Sequence, residues 1–304
     1  MMENHITLHK EPYPRIAPTR PELSQVGRTV LVLGGSTGIG HAIARNFCAA
    51  GASKVIILAR RPTVLNEAVA KLNEAYADTE VVGRVGSFQS SSDAKVLWDS
   101  LQDEGVAVDV LVISATHQPA VQPIMEQGTA RAWEDYEANV HAPLLLVDRF
   151  YHQPNHDRQK YCLFVSTQCI HDWTSAPQLP IYSITKSSFT AVMSMIARDT
   201  PAAKMQILSF HPGVVFTEAA KSVGYTETTI PWDNGGVAAL LYFLFKLGAT
   251  TNDLWQRICR DNSQYGPHLL QPRSFTDALY GLRGMWTNWR LGICGRRLTP
   301  TPST

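Results

Sequence analysis

The chain has 304 residues, of which 44% are apolar and only 17% are charged, so it can bury a large core. The 27 Lys and Arg residues nearly balance the 26 Asp and Glu residues, and the net charge of +1 excludes an overall field that would attract nucleic acid or anionic lipid. The longest apolar run, residues 237–245, is too short to span a membrane.

Short apolar runs alternate with helical patterns along residues 28–210. Each run is bounded by turn formers and followed by apolar residues at helical spacing, such as Ile39, Ile43 and Phe47. This alternation predicts an α/β fold, a doubly wound parallel sheet with helices on both faces. The predicted strands are 29–33, 55–59, 81–85, 108–113, 161–165 and 205–210. The predicted helices are one that starts near Ile39 and ends at Gly51, then 65–76, one capped by Ser91 or Ser92 that reaches Leu101, 133–150 and 182–198.

The first 25 residues contain no apolar stretch of the kind found in signal peptides, and the five cysteines form no Cys-x-x-Cys pair. We therefore expect a cytoplasmic protein with no membrane span, no disulfide framework and no bound metal.

A glycine-rich turn, residues 34–40, leads from the first predicted strand directly into the first helix. The backbone N–H groups and the helix dipole at such a turn bind a pyrophosphate, and glycines allow a close approach. A tight turn without a ligand is the alternative, because many α/β proteins need one. The residues predicted to contact a dinucleotide are Gly34, Ser36, Thr37, Gly38, Ile39 and Gly40.

Two arginines, Arg60 and Arg61, follow the second predicted strand. Dinucleotide folds that use NAD usually place an acidic residue there to bind the ribose hydroxyls, whereas an arginine accommodates a 2′-phosphate. The sequence therefore favours NADP(H) over NAD(H), with Arg60 as the better candidate because it directly follows the strand. The alternative is a pair of solvated arginines at the start of a loop.

The chain divides into three predicted regions. Residues 1–27 carry four prolines and few apolar residues, which is typical of an extended arm. Residues 28–260 are predicted to form one NAD(P)-binding domain that also carries the active site. Residues 261–304, with five arginines against two acids, form a C-terminal extension to which the sequence assigns no role.

Tyr182 and Lys186 lie four residues apart, on one face of a predicted helix. An ammonium about 6 Å from a phenol would pull the tyrosine pKa from about 10 towards about 8, since the interaction is roughly 3 kcal/mol at an effective dielectric of 20. Such a tyrosine is a usable general acid and base. Ser166 and Thr167 end the preceding strand at the edge where open α/β sheets bind ligands.

These motifs resemble those of short-chain dehydrogenases/reductases, in the same order, over about residues 28–220. The resemblance is carried by Gly34, Gly38 and Gly40, then Asn139, Ser166, Thr167, Tyr182, Lys186 and the run 212–217. The proline-rich arm and residues 224–232 further resemble a fungal branch of that family found in secondary-metabolite pathways.

The resemblance implies a Rossmann-type fold and a hydride transfer between a nicotinamide and a carbonyl or alcohol carbon. Tyr182 would give a proton to the carbonyl oxygen, and Lys186 would lower the tyrosine pKa and hold the nicotinamide ribose. Ser166 or Thr167 would fix the substrate oxygen, and both remain open. The resemblance also assigns a water-binding main-chain carbonyl to Asn139. Its further cofactor contacts are Ser114, Val215 and Thr217.

One residue in the sequence explains why the Asn139 carbonyl would be available. Pro143, four residues further on, has no N–H to close the helical hydrogen bond to that carbonyl, although an ordinary proline kink has the same signature. The chain departs from the family pattern at two places. Residues 113–116 read Ile-Ser-Ala-Thr after the fourth strand, and Gly86-Ser87 stands where an aspartate is expected to meet the adenine.

The leading hypothesis is an NADP(H)-dependent oxidoreductase, acting by reduction, of fungal secondary-metabolite biosynthesis. The alternatives are an isomerase, epimerase or cyclase of the same fold without net redox and, more remotely, a non-catalytic binding protein. An apolar or polyketide-like substrate would suit four aromatic residues in segments that flank the predicted site, Trp173, Phe216, Tyr225 and Trp232. The apolar run 144–147 predicts pairing between copies of its helix in a homodimer or homotetramer.

Overall fold

The computed structural model describes residues 17–117, 120–154, 157–171, 176, 178–212 and 215–229. Six strands form one parallel sheet in the order β3-β2-β1-β4-β5-β6, with helices on both faces, so the predicted fold is confirmed. The strands are β1 Thr29–Leu33, β2 Lys54–Ala59, β3 Glu80–Val85, β4 Val110–Ile113, β5 Lys160–Val165 and β6 Met205–Phe210. The helices are α1 Gly38–Ala49, α2 Pro62–Ala75, α3 Ser91–Asp103, α4 Ile124–Gln127, α5 Thr129–Tyr136, α6 Ala142–His152, α7 Pro180–Asp199 and α8 Glu218–Ser222.

The sheet is covered on both sides because successive strand residues point to opposite faces. In β1, Val30 and Val32 pack in one core cluster with residues of α1 and α2. Leu31 and Leu33 pack in a second cluster with residues of α3, α6 and α7. All four side chains are buried, as parallel strands with helices on both faces require.

The strand order reverses between β1 and β4, which are neighbours in the sheet although β1 continues along the chain to β2. A crevice forms at the carboxyl ends of the strands at such a point, and ligands of doubly wound sheets bind there. Backbone hydrogen bonds hold both loops at this place. The N–H of Gly34 donates to the Leu58 carbonyl at 2.9 Å, and the N–H of Ala115 donates to the Leu33 carbonyl at 3.0 Å.

The sequence predicts one helix over residues 133–150, and all of these residues are helical, but the helix is not regular. The chain forms α5, then a π-helical turn over Glu137–His141, then α6. Pro143 has no N–H for the regular hydrogen bond to the Asn139 carbonyl, and the Ala142 N–H reaches back five residues to the Glu137 carbonyl. The irregular turn therefore carries Asn139.

Two predicted boundaries also shift. Ser90 caps α3, its hydroxyl accepting from the Asp93 N–H, in place of Ser91 or Ser92. Strand β4 begins at Val110 and not at Val108. The N–H and the carbonyl of Val108 are hydrogen-bonded to the side-chain amide of Gln153 and not to a neighbouring strand. The Val108 N–H donates to Gln153 Oε1 at 2.9 Å, and the Val108 carbonyl accepts from Gln153 Nε2 at 2.6 Å.

Residues 17–27, the described part of the predicted arm, lie against the sheet domain. Leu23 is buried in the first core cluster, and the N–H of Gln25 donates to the Ala50 carbonyl at 2.8 Å. Residues 1–16 and 230–304 lie outside the described residues, so the division into arm, domain and extension stays a prediction. Within the described ranges, no helix is long and apolar enough to cross a membrane.

Replacing Gln153 by alanine should destabilise the fold, because it leaves both backbone groups of the buried Val108 without partners. We expect the free energy of unfolding to fall by about 2 kcal/mol, measured by urea denaturation. Gln102→Ala, at an exposed glutamine of α3, is the matched control and should change stability by less than about 0.5 kcal/mol. Equal losses in the two variants would show that the Gln153 contacts do not stabilise β4.

Candidate active site

The turn between β1 and α1 is so tight that a side chain has no space at two of its glycines, Gly34 and Gly40. A Cβ on Gly34, whose φ is +76°, would lie 2.6 Å from the Ala115 Cβ. A Cβ on Gly40 would lie 2.3 Å from the Gly34 carbonyl oxygen. Thr37, the N-cap of α1, makes no side-chain cap hydrogen bond, which leaves the first-turn N–H groups for an anion. The turn therefore fits the pyrophosphate of a dinucleotide.

A cleft of about 310 Å³ opens beside this turn. Five of the predicted cofactor residues line it, whereas Ser114 lies beneath the turn, its N–H donating to the Leu33 carbonyl at 3.3 Å. Among the described lining residues there is no carboxylate. The lining residues are Gly34, Ser36, Thr37, Leu58, Ala59, Arg60, Arg61, Gly86, Phe88, Gln89, Ala115 and Thr116.

Arg60 and Arg61 are both exposed at the mouth of the cleft, directly after β2. Arg60 Nη1 donates to Gln89 Oε1 at 3.0 Å. Phe88 is buried in the cleft wall. It follows Gly86 and Ser87, which stand where the family resemblance leads us to expect an aspartate. Phe88 and Gln89 were not predicted from the sequence, because they lie beyond the end of β3 and no local motif marks them.

Tyr182 and Thr167 meet at the carboxyl edge of β5, where α7 begins. Thr167 lies close enough to Tyr182 for a hydrogen bond between them to act on the pKa of the phenol. The Thr167 hydroxyl donates to Cys169 Sγ at 3.5 Å and accepts from the Cys169 N–H at 3.4 Å. Ser166 turns away from Tyr182, because its buried hydroxyl lies 3.1 Å from Thr190 Oγ1. Of the two hydroxyls that the sequence left open, the fold brings that of Thr167 to the tyrosine.

The phenol of Tyr182 does not have the lowered pKa that the sequence predicts. Burial raises this pKa to about 12, a shift that the hydrogen bond with Thr167 opposes and the nearby Cys169 reinforces. Lys186 is itself buried, and its Nζ donates to the Val165 carbonyl at 2.7 Å and lies 4.4 Å from the centre of the Phe164 ring. Burial lowers the pKa of Lys186 to about 7, so its charge is only partly present at neutral pH. Desolvation therefore outweighs the attraction assumed from the spacing.

Asn139 joins the π-helical turn to two other parts of the site. Its Oδ1 accepts from the His117 N–H at 2.7 Å and from the Thr116 hydroxyl at 3.0 Å. Its Nδ2 donates to the His117 carbonyl at 3.1 Å and to Thr185 Oγ1, on α7, at 3.4 Å. The side chain of Asn139 therefore fixes the loop after β4 against α7, the helix that carries Tyr182.

Thr217 lies over the glycine turn, since its Cγ2 is 3.3 Å from the position of a Cβ on Gly38. Its hydroxyl accepts from the Ala220 N–H at 3.2 Å and so caps α8. Val215, the other predicted contact after β6, belongs to a single β-bridge at the start of this segment. The fold thus brings Thr217 to the same crevice edge as the turn.

Tyr182 packs against a small apolar cluster. Cys169, Ala176 and Leu179 form a small buried cluster, and Tyr182 and Val223 pack against it. The predicted aromatic residues are only partly observed. Tyr225 OH accepts from Gln178 Nε2 at 2.8 Å, and Phe216 lies 5.2 Å below Lys221 Nζ, whereas Trp173 and Trp232 lie outside the described residues.

Comparison with known proteins agrees with this geometry. A family model described as short chain dehydrogenase matches residues 28–228. A short chain dehydrogenase/reductase of Claviceps purpurea is 29% identical over 235 residues, which cover 77% of each chain. The short chain dehydrogenase/reductase AacuD of Aspergillus aculeatus is 27% identical over 231 residues, which cover 74% of this chain and 78% of that relative.

Two solved structures share the fold at low sequence identity. The L-sorbose reductase of Gluconobacter frateurii, complexed with NADPH and L-sorbose, is similar with a TM-score of 0.63 and 18% identity, covering 74% of this chain and 91% of that one. The Pseudomonas aeruginosa RhlG/NADP complex is similar with a TM-score of 0.64 and 20% identity, covering 76% and 93%.

The family match extends over well over half of the chain and includes both the glycine turn and the Tyr182–Lys186 pair. The protein is thus an oxidoreductase with an NAD(P)-binding Rossmann fold. More specifically, the chain belongs to the short chain dehydrogenase family.

Burial of Lys186 should make stability depend on pH. Its pKa is about 7 in the folded chain against 10.5 for a free side chain, so the unfolded chain binds more protons between these values. The contribution of Lys186 to the free energy of unfolding therefore rises with pH across that window, and Lys186→Met should remove it, by up to about 1.4 kcal/mol per pH unit. Urea denaturation of both proteins from pH 7 to pH 10 measures the difference.

Lys71→Met is the control, because the Lys71 side chain is exposed on α2. It should leave the pH dependence of the parent protein unchanged. Parallel stability profiles for the parent protein and Lys186→Met would show that Lys186 is charged in the folded chain.

Proposed function

We propose that the protein is an NADP(H)-dependent reductase that converts a carbonyl of a small apolar or polyketide-like metabolite to an alcohol, within secondary-metabolite biosynthesis. The observation that carries the proposal is the contact between Tyr182 and Thr167 at the sheet edge, one helical turn from Lys186. A proton donor and a second hydroxyl at one point are what the reduction of a carbonyl requires.

When bound, NADPH would supply a hydride to the carbonyl carbon. Tyr182 would donate its phenolic proton to the carbonyl oxygen, so that the ketone becomes the alcohol. With a pKa raised to about 12, the phenol holds its proton throughout the neutral range and is ready to donate. The protonated form of Lys186, one turn away, stabilises the phenolate that remains.

Thr167 is the proposed second hydroxyl. It would hydrogen-bond the substrate oxygen beside Tyr182 and stabilise the charge that develops there. Ser166 is less suited to this role, because its hydroxyl is buried against Thr190. The apolar cluster of Cys169, Ala176, Leu179, Tyr182 and Val223 supports an apolar substrate that packs beside the reacting carbonyl.

The cofactor would be held along the crevice edge. The glycine turn and the start of α1 would bind the pyrophosphate, and Arg60 with Arg61 would bind the 2′-phosphate. Val215 and Thr217 would meet the nicotinamide carboxamide, and the Asn139 main chain would hold a water near Lys186. Support for NADP(H) comes from the absence of a carboxylate among the described lining residues and from the NADPH and NADP complexes of the two similar structures.

We also propose that copies of the chain pair through α6 in a homodimer or homotetramer. Leu144 and Leu145 pack against the second core cluster but keep part of their surface exposed. On the neighbouring helices, Trp133 of α5 is 74% exposed and Met195 of α7 is 50% exposed. Large apolar side chains at such positions are typical of subunit interfaces.

Tyr182→Phe should abolish most of the reductase activity, because the ring remains but the proton donor is lost. We expect kcat for NADPH oxidation with a panel of aromatic ketones to fall about 1000-fold. Tyr76→Phe, at the end of α2 and remote from the crevice, should retain activity. Unchanged turnover in Tyr182→Phe, or product formed without consumption of NADPH, would overturn the proposed reaction.

Thr167 and Ser166 can be separated by a matched pair of substitutions. Thr167→Val keeps the shape of the side chain but removes its hydroxyl, and we expect kcat to fall about 100-fold. Thr167→Ser should restore most of the loss, since it returns the hydroxyl. Ser166→Ala should lower kcat by less than about tenfold, and a larger loss for Ser166→Ala than for Thr167→Val would reverse the assignment.

Arg60→Ala should weaken the binding of NADPH at least about tenfold and leave that of NADH nearly unchanged, because it removes a charged donor to the 2′-phosphate. Quenching of protein fluorescence on titration measures both dissociation constants. Arg198→Ala, at the exposed end of α7, controls for a general loss of positive charge. Tighter binding of NADH than of NADPH by the parent protein would refute the proposed cofactor preference.

A further inference from the structure

We infer that Gln89 is a positioning residue for cofactor selectivity, which holds the Arg60 guanidinium at the mouth of the cleft and so favours a 2′-phosphate. This inference rests on the proposed use of NADP(H). Gln89 lies four residues beyond β3 and lines the same cleft as Arg60. No local motif marks it, and its role follows only from the contacts around its side-chain amide.

The orientation of the Gln89 amide follows from its two neighbours. Arg60 Nη1 lies 3.0 Å from one end of the amide, and a guanidinium has only donors, so that end must be the oxygen Oε1. The other end, Nε2, lies 2.9 Å from His117 Nδ1. The amide therefore lies between Arg60 and His117, with its oxygen towards Arg60.

His117 is an uncharged neighbour for this amide. Burial lowers its pKa, an effect that the Asp135 carboxylate opposes and the Arg131 and Arg60 charges reinforce, so the ring is neutral at pH 7. Its Nε2 lies 2.8 Å from Arg131 Nη2 and 3.3 Å from Asp135 Oδ1. Arg131 in turn pairs with Glu134 and Asp135, so the ring is held between charged side chains of α5.

His117 is in turn fixed by its backbone. The Asn139 side chain accepts from the His117 N–H at 2.7 Å and donates to the His117 carbonyl at 3.1 Å. Gln89 has an anchor of its own, since its N–H donates to Ser87 Oγ at 3.1 Å. Both ends of the Gln89–His117 contact are thus held by the fold, and the amide oxygen stays in one place for Arg60.

This arrangement matters because Arg60 is exposed. A long exposed side chain loses conformational freedom when it binds a phosphate, and prior restraint of its guanidinium reduces that loss. The Gln89 oxygen is neutral, so it restrains Arg60 without cancelling the positive charge. The remaining guanidinium donors are available for a phosphate, because one Nη1 contact uses one of five.

Gln89→Leu should therefore weaken the binding of NADPH about fivefold and leave that of NADH unchanged. Gln89→Glu should weaken NADPH binding more, at least about tenfold, because the new carboxylate pairs with Arg60 and repels the 2′-phosphate. Calorimetric titration with 2′,5′-ADP and with 5′-AMP, which differ only in the 2′-phosphate, measures the same selectivity without the nicotinamide. Gln102→Leu, on α3, is the control and should leave all four affinities unchanged.

The double variant Arg60→Ala/Gln89→Leu separates action through Arg60 from a direct contact. If Gln89 acts through Arg60, Gln89→Leu has no further effect once Arg60 is removed, so the two losses are not additive. Additive losses, equal weakening of 2′,5′-ADP and 5′-AMP, or no change in Gln89→Leu would each overturn the inference. If Arg60→Ala alone leaves NADPH binding unchanged, the proposed cofactor preference fails as well, which distinguishes the two failures.

Discussion

The two halves of the site are joined by the side-chain amide of Asn139. It makes two hydrogen bonds with the peptide groups of His117, at the cofactor cleft, and a third with Thr185, one residue before Lys186. The amide can reach both because it projects from a π-helical turn, which forms where Pro143 removes a helical hydrogen bond. A straight helix over the same residues would place this side chain elsewhere.

Burial, rather than attraction between Tyr182 and Lys186, sets the protonation states of the two groups before the reaction. Desolvation raises the pKa of Tyr182 to about 12 and lowers that of Lys186 to about 7, so both groups tend towards their neutral forms. A buried lysine makes folding less favourable at neutral pH, and its contacts with the Val165 carbonyl and the Phe164 ring offset only part of this cost. Active sites commonly combine perturbed pKa values with a loss of stability.

The local pattern of apolar residues and turn formers was sufficient to predict most of the strands and helices. The strand predictions at 29–33 and 205–210 match β1 and β6 at both ends, because continuous apolar runs bounded by turn formers leave little choice of boundary. The glycine turn was predictable for a similar reason, since its glycines lie within the seven residues 34–40, directly between an apolar strand and a helix.

Features that depend on contacts between distant residues were not predictable in this way. Which of Ser166 and Thr167 faces Tyr182 depends on how β5 meets α7, and sequence spacing carries no such information. The pKa of Tyr182 was predicted in the wrong direction, because the depth of burial is a property of the assembled site. The contacts of Gln89 were missed because its partners, Arg60 and His117, lie 29 and 28 residues away in the chain.

The central claim is that these residues direct a hydride from NADPH to a carbonyl carbon. Turnover with NADPH that is deuterated at C4, on each face in turn, and mass spectrometry of the alcohol product test it most directly. The account predicts that one of the two labelled cofactors gives an alcohol one mass unit heavier, with the deuterium on the former carbonyl carbon. An unlabelled product from both cofactors would contradict it.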